Sequence, residues 1–96
     1  MFPMNDTATP PQFPPELRAR HERVGDAYLH ECARRGLFPL VVAWCSPRGM
    51  SGPVEAYLFF NYEESPDGQF FTAPHESLLV ALVVDAVEAI QTAGRN

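Results

Sequence analysis

The chain is predicted to be an α+β domain in which a helix, a three-stranded antiparallel meander and a second helix follow one another (αβββα), behind a Pro-rich arm. Three stretches carry that prediction. Ser77 to Ala93 contains an unbroken apolar run, Leu78 to Val84, and then continues with Ala86, Val87, Ala89 and Ile90 on a helical spacing. Val54 to Glu63 alternates strictly, with Val54, Ala56, Leu58, Phe60 and Tyr62 on one face and Glu55, Tyr57, Phe59, Asn61 and Glu63 on the other. Glu16 to Arg35 places Leu17, His21, Val24, Tyr28 and Cys32 at steps of four or three, the stripe of an amphipathic helix.

In chain order, residues 1–15 hold five of the ten prolines and form a flexible arm, leaving residues 16–96 as one small domain. The first helix starts after Pro14 and Pro15, which suit a first turn, and Gly36 ends it. Its wet side offers the i, i+4 pairs Glu16 with Arg20, Arg18 with Glu22 and Glu31 with Arg35, so its arginines read as a solvated face. Gly25 inside this helix costs about 1 kcal/mol relative to alanine and suggests close approach of another element. Leu40 to Cys45 is an apolar strand, and the Pro and Gly of Ser46 to Pro53 mark a loop.

After the alternating strand, Ser65-Pro66-Asp67-Gly68 reads as a type I turn, with Gln69 to Thr72 returning. That register sets Tyr62 opposite Thr72 and Glu63 opposite Phe71, which turns Phe70 toward the core and Phe71 to the opposite face. The run Leu78 to Val84 alone is also compatible with a fourth strand; its apolar continuation decides for a helix, with a narrow polar stripe of Ser77, Ala81, Asp85, Glu88 and Thr92. The expected core is Val24, Tyr28, Trp44, Leu58, Phe60, Leu79, Leu82, Val83 and Val87.

Composition excludes several functions. The net charge of −5 is spread unevenly, and all seven basic residues are arginine. Such a balance gives little of the positive field that phosphate binding needs, which argues against a direct nucleic-acid binder and suits protein partners. There is neither a cationic leader with an apolar run nor an 18-residue apolar segment, so a cytoplasmic protein without membrane insertion is expected. Cys32 and Cys45 are too few for a disulfide scaffold and are expected to be buried and reduced.

No pattern of catalytic or metal-binding residues emerges. His21, His30, Cys32, Cys45 and His75 lack metal-ligand spacing, so no cofactor is expected. Cys45 as a nucleophile would need a base such as His75 beside it. Arg48 is the lone cation of a loop without the glycine spacing of a phosphate loop. Arg18, Arg20, Arg23, Arg34 and Arg35 would carry an alternative nucleic-acid function, but four acids are interleaved with them.

The remaining signal is the second face of the sheet. If both helices pack on one side, Tyr57, Phe59 and Phe71 are left uncovered together with one apolar face of Leu40 to Cys45, rimmed by Glu55, Glu63, Glu64 and Asp67, and an aromatic centre with a charged rim has the anatomy of a protein interface. If one helix covers each side, no such patch exists. The expectation is a non-catalytic protein that binds another protein and forms a homodimer, with this face as the partner-binding site. In size, acidity and lack of catalytic motifs the chain resembles phage-encoded inhibitors of bacterial defence complexes, anti-CRISPR proteins among them. In its order of helix, three strands and helix it is loosely similar to the acidic dimeric chaperones of type III secretion.

Overall fold

In a computed structural model that describes residues 14–61 and 67–93, the chain forms α1 (Pro15–Arg34), β1 (Val42–Cys45), a short 3-10 turn (Gly49–Ser51), β2 (Glu55–Asn61), β3 (Asp67–Thr72) and α2 (Glu76–Ala93). The order is αβββα, as the sequence predicts. The expected arm lies almost wholly outside the described residues.

Helix α1 begins at Pro15, whose missing N–H is no loss in a first turn. It ends in a Schellman motif: the N–H of Leu37 donates to the carbonyl of Cys32 at 2.8 Å and that of Gly36 to Ala33 at 3.1 Å. Gly36 reaches the required left-handed conformation at φ 71°. The buried stripe of α1 is Arg20, Val24, Tyr28 and Cys32. His21 and Leu17, expected on it, sit at its border.

The sheet order is β1-β2-β3, all antiparallel. Val42 pairs with Leu58 and Trp44 with Ala56; on the other side Ala56 pairs with Phe71 and Tyr57 with Phe70. This hairpin register corrects the expected one. β3 starts at Asp67, and Thr72 opposes Glu55 rather than Tyr62, an odd displacement of seven residues. An odd displacement exchanges the faces of the returning strand, so Phe71 packs against the core and Phe70 points away. Of the expected Ser65–Gly68 turn, Ser65 and Pro66 lie outside the described residues, and Asp67 and Gly68 open β3.

Both helices lie on the same side of the sheet. α1 packs over β1 and against α2, while α2 packs over β2 and β3. They run parallel, since Arg20 and Arg23 in the first half of α1 meet Glu76 at the start of α2, and Arg35 just past α1 meets Asp85 and Glu88 further along it. Val24, Tyr28 and Cys32 from α1, Val54, Ala56 and Leu58 from the middle of the sheet, and Leu79, Val80, Val83, Val84 and Val87 from α2 form the core, with Ala73 beside them. The Tyr28 hydroxyl donates to the Leu40 carbonyl at 2.6 Å, and its ring meets Trp44 edge-on at 5.8 Å.

Three expected core or surface assignments change. Leu82 is 39% exposed, because α2 touches neighbours on two sides only and position 82 falls on neither. Trp44 is half-buried at the margin of the core. Arg20, read as a solvated cation, is 8% exposed and is held by Glu76 and by the Gly49 carbonyl. Phe60 lies in β2, with its side chain outside the described set.

Candidate protein-binding face

With both helices on one side, nothing among the described residues covers the other side of the sheet. Along β2 it presents Glu55, Tyr57 and Phe59, and the pairing brings Cys45, Ala43 and Val41 of the β1 segment and Thr72, Phe70 and Gly68 of β3 level with them. Tyr57 and Phe59 touch, with ring centroids 4.9 Å apart and planes inclined at 55°. Phe70 is 53% exposed and Val41 48% exposed. Gly68 is required here, because a Cβ at that position would run into the Leu58 carbonyl and the Tyr57 ring, which lies over it.

Of the residues expected on this face, Tyr57, Phe59 and Glu55 are on it, partly covered by one another. Phe71 is not: its pairing with Ala56 puts it on the helix side, and Phe70 takes its place. Asp67 opens β3 opposite Asn61, though its side chain lies outside the described set, as do Glu63 and Glu64 entirely. One apolar face of Leu40–Cys45 was expected beside Tyr57 and Phe59, and the pairing with β2 selects Val41, Ala43 and Cys45. Which face it would be was not legible, because both faces of that strand are apolar.

Cys45 is exposed, contrary to expectation, whereas Cys32 is buried. The Cys45 thiol lies 4.0 Å from a Glu55 carboxylate oxygen, and partial burial and that negative charge both push its pKa up. A raised pKa disfavours the thiolate, the opposite of what a nucleophile needs. His21 bonds the Ser46 hydroxyl at 2.9 Å, and His75 stands beside Ser77 at 3.3 Å. Among the described residues no group of three His, Cys, Asp or Glu side chains is placed to hold a metal ion. No helix among them is long and apolar enough to cross a membrane.

The arginines of α1 are largely engaged. Arg20 and Arg23 share Glu76, Arg34 and Arg35 share Glu31, and Arg35 also reaches Asp85 and Glu88 at 2.9 and 2.8 Å. The Arg34 and Arg35 hydrogen bonds hold the Glu31 carboxyl at about 2. Between the two helices runs an open groove of about 700 Å³ with an apolar floor of Val24, Ala27, Val80 and Ala81 and walls of both charge signs. No protein-family model, curated protein or solved structure matches this chain.

Proposed function

We propose that this protein works without catalysis, by binding another protein through the bare face of its sheet. The observation that carries the reading is the row of Val41, Tyr57, Phe59 and Phe70 on the side that neither helix covers. A face left to water would carry Thr, Lys or Glu at such positions; aromatic side chains there favour a partner. The chemistry of that partner follows from charge. The chain carries −5 overall and Glu55 borders the aromatic row, so a complementary surface is apolar at its centre and basic at its rim. The role we assign is occlusion of a basic surface of an assembly that handles nucleic acid, as an anti-CRISPR-type inhibitor would do.

The paired state of the α1 arginines supports this reading over direct nucleic-acid binding, because a guanidinium already neutralised by a carboxylate releases few counterions from a phosphate backbone. The test compares the wild-type chain with the double variant Tyr57→Ser, Phe59→Ser, both immobilised, in capture of proteins from the native host, with helix content checked by circular dichroism. A folded variant that loses a captured protein held by the wild type, with a capture that weakens at high salt, supports the proposal. Equal capture by both chains refutes it. Salt-dependent retention of the wild type on DNA would favour the nucleic-acid alternative.

A further inference from the structure

The face of the sheet does not account for all the apolar surface left uncovered. Leu78 and Leu82, one turn apart on α2, are each 39% exposed, and Ala89 is exposed as well. At 100° per residue these three lie roughly 160–200° around the helix from Val80, which lines the groove beside α1. Because α1 lies over β1 and α2 over β2 and β3, the flank of α2 that faces away from α1 overhangs the outer edge of β3.

Among the described residues no strand pairs with that edge. The N–H of Phe59 donates to Val41 across the β1 side, so the backbone groups of alternate β2 residues, Leu58 and Ala56, turn to β3 and bond Gln69 and Phe71. The backbone groups of Gly68, Phe70 and Thr72 therefore point outward. From Gly68 to Thr72 there is neither a charge nor a proline, the usual means of blunting an edge. β1, by contrast, is four residues long, follows Pro39, and has the Leu40 carbonyl beside it taken by the Tyr28 hydroxyl.

We propose that a second copy of this chain occupies the β3 edge, pairing β3 with β3 antiparallel about a two-fold axis at Phe70 and packing the two α2 flanks side by side. The outward groups are symmetric about that residue, so Phe70 pairs with its own mate and Gly68 with Thr72 of the other copy, and every outward N–H and C=O from 68 to 72 finds a partner. The helices fit the same axis. Phe70 lies two residues, about 7 Å, before Thr72 along β3, and the midpoint of Leu78 and Leu82 lies four residues, about 6 Å, after Glu76 along α2, which runs back over the sheet. Leu78 of each copy then meets Leu82 of the other.

The strip is about 17 Å long over the five paired residues and roughly 20 Å high over the two layers, a flat area of about 700 Å² for the two copies together, which is the size of a weak, transient interface. The dimer is accordingly a weak one that forms as concentration rises. The bare sheet face stays free, doubled into one six-stranded surface, so this inference is independent of the target reading above.

The test is sedimentation of the full chain from micromolar to millimolar concentration, with three variants. Phe70→Pro removes an outward N–H together with one ring of the sheet face, Leu82→Glu puts a charge on the exposed flank, and Tyr57→Ser with Phe59→Ser alters the sheet face alone and so controls for the lost ring. The expected result is a concentration-dependent dimer in the wild type and in the sheet-face variant, weakened at least tenfold by Leu82→Glu and by Phe70→Pro, and slower amide exchange of Gly68, Phe70 and Thr72 as concentration rises. Should Phe70→Pro unfold, Leu82→Glu and the exchange of these three amides decide. A wild type that stays monomeric at every concentration, or a dimer that survives Leu82→Glu and is lost with Tyr57→Ser and Phe59→Ser, overturns the proposal.

Discussion

Replacing Glu76 by glutamine removes the anion that faces Arg20 while keeping the length and shape of the side chain. Arg20 donates its Nε to Glu76 at 2.8 Å and its Nη1 to the Gly49 carbonyl at 3.0 Å, with 10% of its side chain exposed against 29% for Glu76. Removing one partner of a fully buried pair costs about 3–5 kcal/mol, whereas an exposed pair contributes about 0–1 kcal/mol. This pair lies closer to the buried limit, and glutamine keeps one carbonyl oxygen to accept from Arg20, so the expected loss is about 2 kcal/mol. In a domain of this size that lowers Tm by roughly 8–16 °C, or the urea midpoint by about 1–2 M. Glu31→Gln is the comparison, since Arg34 beside it is 64% exposed and Arg35 keeps Asp85 and Glu88 as partners; its loss should be the smaller of the two.

The same pair predicts a pH dependence. Hydrogen bonding from Arg23, and then from Arg20, holds the Glu76 carboxyl below its ordinary value of 4.5 despite its partial burial. The folded state thus binds the proton more weakly than the unfolded chain. The stabilisation is complete above 4.5 and is lost as pH falls through the lower folded value, a loss that the Glu76→Gln variant should lack. Chemical denaturation between neutral pH and pH 3 measures both effects. A Glu76→Gln loss no larger than that of Glu31→Gln would show that Arg20 is solvated and that the two helices are not clamped at this end.

Other substitutions test the packing. Leu79→Ala should cost about 2–5 kcal/mol, and Leu82→Ala, at monomeric concentration, less than half as much, because only Leu79 is fully enclosed; equal costs by urea denaturation would contradict the orientation of α2. Gly25→Ala should stabilise by about 0.5–1 kcal/mol, since an added Cβ would lie 3.6 Å from Trp44 Nε1, an ordinary contact, and Gly36→Ala should destabilise by about 1–2 kcal/mol at its positive φ; thermal melts that reverse either sign refute the account of that glycine. Burial foremost, and then Arg20, lowers the His21 pKa below 6.5, so stability should fall as pH drops below 6.5, and His21→Gln should flatten that part of the profile.

Element type was legible wherever one period held over many residues. The last helix and the alternating strand follow directly from spacings of 3.6 and 2, and so does the division of β2 into a buried and a bare face. The hairpin register was not, because alternation assigns faces within a strand and says nothing of which residue lies opposite which. Asp67 and Gly68 have turn chemistry, yet they open β3, where Gly68 makes room beneath Tyr57. The burial of Arg20 did have a signal: it begins the series Arg20, Val24, Tyr28, Cys32, each four residues apart, but its charge pointed to water. Leu82 had none, since a helix apolar around most of its girth does not distinguish the side that meets the sheet from the side that overhangs its edge.

The parallel pairing of the first and last elements bears on how the chain is made. A ribosome releases α1 and the meander before α2, yet α2 supplies Leu79, Val80, Val83, Val84 and Val87 to a core that has few large members elsewhere. The contacts that fasten it to α1 join residues as far apart in sequence as Arg20 and Glu76, 56 positions. Until α2 emerges, β2 and β3 lack their cover on the helix side, and the nascent chain exposes apolar surface on both faces at once. Commitment to the fold therefore waits for the last helix, and a chain halted shortly before Glu76 is a substrate for chaperones and proteases rather than a smaller version of the domain.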